Sequence, residues 1–214
     1  DALCIIPYTS GSTGFPKGCK HTNRTVNSVI HSYLKWLPVP HQATILTTLP
    51  LFHVTGMQNS MNVPILNGNT IVLMTRWDTE TALNLIKEYK VSSWRSITTS
   101  IIDVVNSFNS ELHDISSLLS IGGGGASMPQ KVALKLKKLT KLDYVEAYGL
   151  TETMAPTHIN PPQKTKLGSI GIPLFNVDAR ILDIETHEEL GVNQVGELII
   201  SSPQLFLGYW KRKD

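Results

Sequence analysis

The chain has 214 residues, 41% hydrophobic and 17% charged, with a formal net charge of +2 at pH 7. That length and apolar content support a substantial core in one large or two small domains; the near-balanced charge argues against nucleic-acid binding, and no apolar run approaches the ~20 residues of a membrane span. Two cysteines, Cys4 and Cys19, cannot build a disulfide framework and lack metal-ligand spacing; Cys4 is read as strand core and Cys19 as a loop neighbour.

Residues 3–6 form a short apolar stretch, read as a buried strand, and YTSGSTGFPKG follows at residues 8–18. Small, hydroxylated and flexible residues ending in one lysine have the composition of a phosphate-handling loop. Gly11, Gly14 and Gly18 let main-chain N–H groups close around phosphoryl oxygens, Thr9, Ser10, Ser12 and Thr13 add hydroxyl donors, and Lys17 adds a mobile positive charge. The P-loop of nucleoside triphosphatases is excluded. It needs Gly directly before the Lys and Ser or Thr directly after, and the neighbours here are Pro16 and Gly18.

Val26, Val29, Ile30, Tyr33, Leu34 and Leu37 recur at helical spacing over residues 22–37, and Pro38 and Pro40 end that helix. Residues 44–49 read as a strand. Residues 56–66 read as helical despite Pro64, with a turn at Asn67, Gly68 and Asn69 and a buried strand over 70–74. Asp78 can cap a helix over 79–89. A strand over 91–97, a helix over 100–108 and a strand over 118–121 ending in four glycines come next, and Pro129 suits the first turn of a helix through 139. The basic cluster over 131–141 has the spacing of that helix's wet face rather than of a nucleic-acid site. A strand over 142–147 follows. After Gly168, residues 177–184 and 197–201 alternate or run apolar between turns, as in antiparallel β structure.

This repetition of strand, crossover and helix predicts an α/β fold: layered, mainly parallel sheets flanked by helices, more antiparallel toward the C-terminus, with ligands at the carboxyl ends of the strands. Residues 1–165 are read as an α/β nucleotide- and acyl-binding core and 166–214 as a β-rich segment of the same large domain.

EAYGLTET, residues 146–153, carries a second piece of chemistry. The ring of Tyr148 could cover an adenine and Gly149 lets the backbone pass close to a ligand. The Thr151 hydroxyl beside the Glu152 carboxylate suits a phosphate and its Mg²⁺, an ion usually held by one or two carboxylates plus phosphates. The plainer alternative is a tyrosine corner followed by a Thr-Glu helix cap. Residues 122–126 could permit a tight turn, present bare backbone to a flat ligand, or both. His53 stands alone in an apolar segment, where spacing by itself favours a structural role. His31, His41, His113, His158 and His187 show no metal spacing and are read as surface or structural, with His21 a weak loop candidate.

The string at 8–18 resembles the signature loop of the adenylate-forming superfamily: acyl-CoA synthetases, peptide-synthetase adenylation domains and luciferases. Further segments match in the family's order: LPLFHVTG at 49–56, IGGGGASM at 121–128, EAYGLTET at 146–153 and GELIISSPQLFLGYW at 196–210. The resemblance spans the whole chain and implies the central part of the family's large N-terminal domain. The family's Tyr-x-Thr-Gly-Asp segment, whose Asp holds the ribose, and its small C-terminal domain, with the lysine that assists adenylation, are not in this sequence, so the isolated chain is expected to be inactive.

The activity implied is ATP-dependent conversion of a carboxylic acid to an acyl-adenylate, then a thioester with coenzyme A, in a cytoplasmic enzyme acting on a small-molecule acid. Loading of a carrier protein, or ATP and acyl-adenylate binding without catalysis, stay open. By resemblance, Lys17 with Thr9, Ser10, Gly11, Ser12, Thr13 and Gly14 would hold the phosphates. Gly123, Gly124, Gly125 and Ala126, with Glu146, Ala147, Tyr148 and Gly149, would surround the adenine and AMP. Thr151 would meet the α-phosphate and Glu152 the Mg²⁺. His53, Val54, Met57, Met154 and Ala155 would border the acyl group, with His53 near the reacting carboxylate. Residues 54–61 contain no acidic partner for an α-amine, which favours a fatty or aryl acid over an amino acid. One departure stands out: Thr22, Asn23, Arg24 and Thr25 replace the common Thr-His-Arg-Asn, so the capping hydroxyl survives but no role transfers to a His there.

Overall fold

A computed structural model describes residues 2–9, 14–37 and 39–212. Its centre is a sheet of seven strands in the spatial order β11-β10-β9-β8-β7-β5-β6. The five strands β6 (Thr70–Leu73), β5 (Thr44–Thr47), β7 (Ser93–Ser96), β8 (Ser120–Gly124) and β9 (Tyr144–Leu150) are mutually parallel. β10 (Ala155–Ile159) and β11 (Ile172–Pro173) continue the sheet antiparallel beyond β9. The mainly parallel α/β architecture expected from the alternating pattern is the one present.

Helices cover both faces. On one, Ala82, Leu83 and Ile86 of α4 (Thr79–Glu88), Ile101 and Val104 of α5 (Thr98–Ser107) and Ala133 and Leu136 of α6 (Gln130–Thr140) pack with Leu46, Trp94 and Ile121 of the strands. On the other, Val26, Val29, Ile30 and Tyr33 of α1 (Asn23–Trp36) join Val145 and Ile159. Each such aliphatic side chain contributes about 1.5–3 kcal/mol on leaving water. The helix starts follow their caps: the Thr22 hydroxyl accepts from the Thr25 N–H and the Thr25 hydroxyl from the Thr22 N–H, and Asp78 accepts from the Thr81 N–H at 2.8 Å.

Residues 54–66 are helical in three parts, α2 (Val54–Met57), a π-helical turn (Gln58–Asn62) and α3 (Val63–Leu66). Pro64 follows the π-helical turn, and the Ser60 carbonyl four residues before it, which a Pro cannot serve, accepts from the Thr47 hydroxyl at 2.9 Å instead. Beside the main sheet lie three two-stranded ribbons: β1 (Leu3–Ile5) with β4 (His21–Thr22), β2 (Tyr8–Thr9) with β3 (Lys17–Gly18), and β12 (Asp178–Leu182) with β13 (Glu197–Ser201). All three are antiparallel, β12 and β13 as expected.

Five local readings are corrected, the last of them the plainer alternative for residues 146–153. β1 is not buried, and Cys4 is exposed rather than core, because this strand pairs only with two-residue β4 outside the main sheet; Cys19, read as a loop neighbour, is fully buried. β6 is half-exposed, with Leu73 54% accessible, because it is the sheet's edge and has one neighbour. β8 does not stop at the glycines but runs through Gly124, since β7 and β9 flank it on both sides and hold its backbone in register. Thr151 and Glu152 cap no helix; they lie in the tight link between antiparallel β9 and β10.

Candidate functional site

At the carboxyl ends of β7, β8 and β9, between the sheet and the α1–α2 layer, the chain encloses a cavity of about 380 Å³. It draws together residues far apart in sequence. From the N-terminal ribbon come Thr9 and Lys17; from the start of α2 come His53 and Val54; from β8 and its end come Gly123, Gly124 and Gly125. Ala147, Tyr148, Gly149, Thr151, Glu152 and Ala155 supply the β9–β10 side.

Other expected site residues lie elsewhere. Ser10, Gly11, Ser12 and Thr13 fall outside the described residues, and Gly14 and Ala126 do not line the cavity. Met57 and Met154 are buried in the core under α1, because their apolar side chains fill the sheet-helix interface. Glu146 is buried with both oxygens engaged: Oε1 accepts from the Met128 N–H at 2.8 Å and Oε2 from the Gly168 N–H at 2.9 Å. It staples two loops together and is not among the residues that line the cavity.

The glycines of β8 are required by their neighbours. A Cβ on Gly123 would come within 1.8 Å of the Ser96 carbonyl oxygen, and one on Gly124 within 2.4 Å of the Ala147 oxygen. Only bare backbone fits there, and it leaves a flat, side-chain-free wall on the cavity. His53 caps α2, its Nδ1 accepting from the Thr55 N–H at 3.2 Å, which leaves Nε2 as the protonated, donating nitrogen of the neutral ring.

The link between β9 and β10 is held from outside. Residues Met154 and Ala155 adopt positive φ of 55° and 77°, a conformation that non-glycine residues avoid and that needs external support. The buried Gln204 side chain provides it, Nε2 donating to the carbonyls of Thr153 at 2.8 Å, Pro156 at 3.0 Å and Ala155 at 3.2 Å. The Phe206 N–H donates to the Glu152 carbonyl at 2.9 Å. His21, fully buried, contacts the Thr151 carbonyl through Nε2 at 2.8 Å. A carbonyl only accepts, so Nε2 carries a hydrogen in this arrangement. Burial pushes its pKa below the ordinary 6.5, with the Thr151 carbonyl and the Glu152 carboxylate opposing in part.

Residues 207–210 bring in a group that motif reading missed. The Leu207 N–H donates to the Lys20 carbonyl and the Trp210 N–H to the Gly18 carbonyl, so this segment lies along the N-terminal ribbon. Tyr209 is thereby set between the two charged residues: its hydroxyl donates to Glu152 Oε1 at 2.8 Å, and Lys17 Nζ stands 4.7 Å from its ring centroid. Cys19 lies beneath; burial, reinforced by the Glu152 carboxylate and opposed by Lys17, pushes its thiol up to about 12. It is an inert packing thiol.

Deeper in the cavity, Tyr33, Asn59 and Arg95 also line the wall. None stood out in the sequence, because a Tyr at an apolar helix position, an Asn in a helix and an Arg in a short strand carry no motif. Among the described residues no group of three or more His, Cys, Asp or Glu could hold a metal ion, and no helix is long and apolar enough to cross a membrane.

The family model described as AMP-binding enzyme matches residues 1–210. The chain is 32% identical over 215 residues to a long-chain-fatty-acid–CoA ligase of Bacillus subtilis (strain 168), covering 99% of this chain and 38% of the relative. It is 34% identical over 210 residues to 4-coumarate–CoA ligase-like 9 of Arabidopsis thaliana, covering 95% of this chain and 37% of the relative. Among solved structures, a long-chain-fatty-acid-CoA ligase from Archaeoglobus fulgidus superposes with a TM-score of 0.92 at 28% identity, over 99% of this chain and 44% of that one. The O-succinylbenzoate coenzyme A synthetase of Bacillus subtilis in complex with ATP and magnesium gives 0.90 at 26%, over 100% and 44%. The chain thus spans about two-fifths of the length of these proteins.

Proposed function

The chain belongs to the AMP-binding enzymes, and from that premise we propose that the protein containing it activates a carboxylic acid with ATP to an acyl-adenylate and transfers the acyl group to coenzyme A. The observation that carries this reading is the convergence of Lys17, Tyr148, Thr151 and Glu152 with the bare backbone of Gly123 and Gly124 on one cavity at the carboxyl ends of parallel strands, where an α/β sheet binds its ligands. Coenzyme A is favoured as acceptor over a carrier protein because the relatives named above are CoA ligases. Residues 1–165 would supply the nucleotide and acyl core, and 166–214 a β-rich continuation of the same large domain.

Each residue's part follows from its chemistry. Lys17, with Thr9 and the loop at 10–14, would take the β- and γ-phosphates and the departing pyrophosphate. Tyr148 and the glycine wall would sandwich the adenine, and Thr151 would donate to the α-phosphate. Glu152 fits as a magnesium ligand: it is a half-buried carboxylate at the cavity, and one protein carboxylate plus phosphate oxygens is this ion's usual set. The ion would supply charge neutralisation on the phosphates. His53 Nε2–H would orient the attacking carboxylate, and Val54 and Ala155 would border its apolar part. Catalysis is then mainly positioning and electrostatic stabilisation. With no acidic residue over 54–61 to meet an α-amine, a fatty or aryl acid is the favoured substrate class.

Glu152→Ala in the full-length protein tests the reading. Mg²⁺-dependent thioester formation should be lost while the far-UV circular dichroism spectrum stays unchanged. Wild-type turnover in that variant would refute the assignment.

A further inference from the structure

Arg95 is a buried cation with no paired anion among the described residues. The residue is 4% exposed, and its guanidinium makes two hydrogen bonds, both to neutral hydroxyls: Nε donates to Tyr33 Oη at 2.7 Å and Nη2 to Ser120 Oγ at 2.6 Å. Nη1 is buried and has no partner. The buried carboxylate of Glu146, on β9, is engaged by the Met128 and Gly168 N–H groups. A guanidinium held out of water is retained only where an anion or a full set of acceptors compensates it, and among the described residues this one has neither.

The same cavity holds a second unmatched group. Asn59 lines it and is 7% exposed, and its Oδ1 is buried without a partner. The two residues are brought to one cavity by the topology. Thr47 is the register partner of Arg95 on the adjacent strand, and the Thr47 hydroxyl donates to the Ser60 carbonyl at 2.9 Å, which lays the π-helical turn carrying Asn59 over β5, beside β7. Such turns are frequent at functional sites. Tyr33 completes the set. Its oxygen accepts from Arg95, so its own proton is left to donate to another acceptor.

Position says which part of a ligand would arrive here. Arg95 registers with Gly122 and Gly122 with Val145, three residues before Tyr148 on β9, a distance of roughly 10 Å along a strand. These groups therefore sit at the inner end of the cavity, away from Lys17, Thr151 and Glu152, with the apolar side chains of Leu37, Val145 and Ile159 along the wall.

Building on the acid-activating reading above, we propose that Arg95, together with Tyr33 and Asn59, receives a second carboxylate at the far end of the acid, so that within the fatty and aryl acids the preferred substrate is one that carries two carboxylates, a dicarboxylic acid. The guanidinium and the phenol donate to the carboxylate, and the Asn59 amide, whose two ends exchange by rotation, presents its N–H groups to the same anion. One carboxylate is activated at the mouth of the cavity while the other is anchored at its base.

The test uses the full-length protein, with acid-dependent exchange of labelled pyrophosphate into ATP as one readout and calorimetric acid binding without ATP as the other. Straight-chain dicarboxylic acids are compared with monocarboxylic acids of equal length, in wild type, Arg95→Met and Arg95→Lys. The wild type should favour a dicarboxylic acid at least about tenfold in kcat/KM. Arg95→Met should erase or invert that preference, because a charge-assisted contact is lost, and Arg95→Lys should retain part of it. Wild-type exchange and binding that favour the monocarboxylic acids would overturn the proposal while leaving acid activation standing. Absence of exchange with every acid would instead defeat the activating reading, and the calorimetric comparison would still decide whether the cavity prefers a second carboxylate.

Discussion

Gln204→Ala probes the support beneath the β9–β10 link. The amide of Gln204 is 1% exposed and its Nε2 lies within bonding distance of three carbonyls, those of Thr153, Ala155 and Pro156. An NH₂ group carries two hydrogens, so one is shared and the set is worth about two bonds. Losing them costs about 1 kcal/mol each, and burying the deserted carbonyls adds about 1–3 kcal/mol. The expected destabilisation is about 3–5 kcal/mol, read as a fall in the urea midpoint at unchanged slope. Gln204→Glu should do at least as much damage, because it turns an acceptor toward three acceptors. Met154 and Ala155 would also lose what holds their positive φ, and Thr151 and Glu152 would drift. Displacement of about 1 Å at such residues costs about 10²-fold in rate, so turnover should fall more steeply than stability explains. A Gln204→Ala variant within about 0.5 kcal/mol of wild type would refute this account of the link.

Lys17→Ala should weaken ATP and pyrophosphate binding by about tenfold or more while leaving acid binding nearly intact, and unchanged nucleotide affinity would count against its place in the site. His21 titrates below its ordinary 6.5 because it is buried; the unfolded chain therefore takes up the proton first, and the stability His21 contributes is complete above pH 6.5 and declines as the pH falls below it. His158, also lowered by burial, adds in the same direction, so denaturation midpoints should drop from pH 7 to pH 5 and His21→Gln should flatten part of that slope. Alkylation at pH 8 followed by mass mapping should label exposed Cys4 quickly and Cys19, with its thiol near 12, only after unfolding; rapid labelling of both would show that the N-terminal ribbon opens.

Features legible in the sequence were those set by local rules. Helix α1 could be read from the recurrence of Val26, Val29, Ile30 and Tyr33 and from the hydroxyl of Thr22, because periodicity and capping act within one element. The parallel core followed from alternation, and the cavity residues from motifs in Thr9, Lys17, Tyr148, Thr151 and Glu152. What could not be read depends on distant partners. β8 runs through its glycines because strands on either side hold it, and Met154 and Ala155 take positive φ because Gln204, about fifty residues on, allows it. The aligned row of Lys17, Tyr209 and Glu152 exists only once residues 207–210 lie beside the N-terminal ribbon. Arg95 was invisible for the same reason: a lone Arg gives no sign of whether an acidic side chain will meet it.

The central claim is acid activation, and exchange of labelled pyrophosphate into ATP by the full-length protein tests it most directly, with fatty, aryl, dicarboxylic and amino acids as the panel. The account predicts exchange that requires both Mg²⁺ and a carboxylic acid, disappears in Glu152→Ala and is weak or absent with amino acids. ATP binding without acid-dependent exchange for any member of the panel would contradict it.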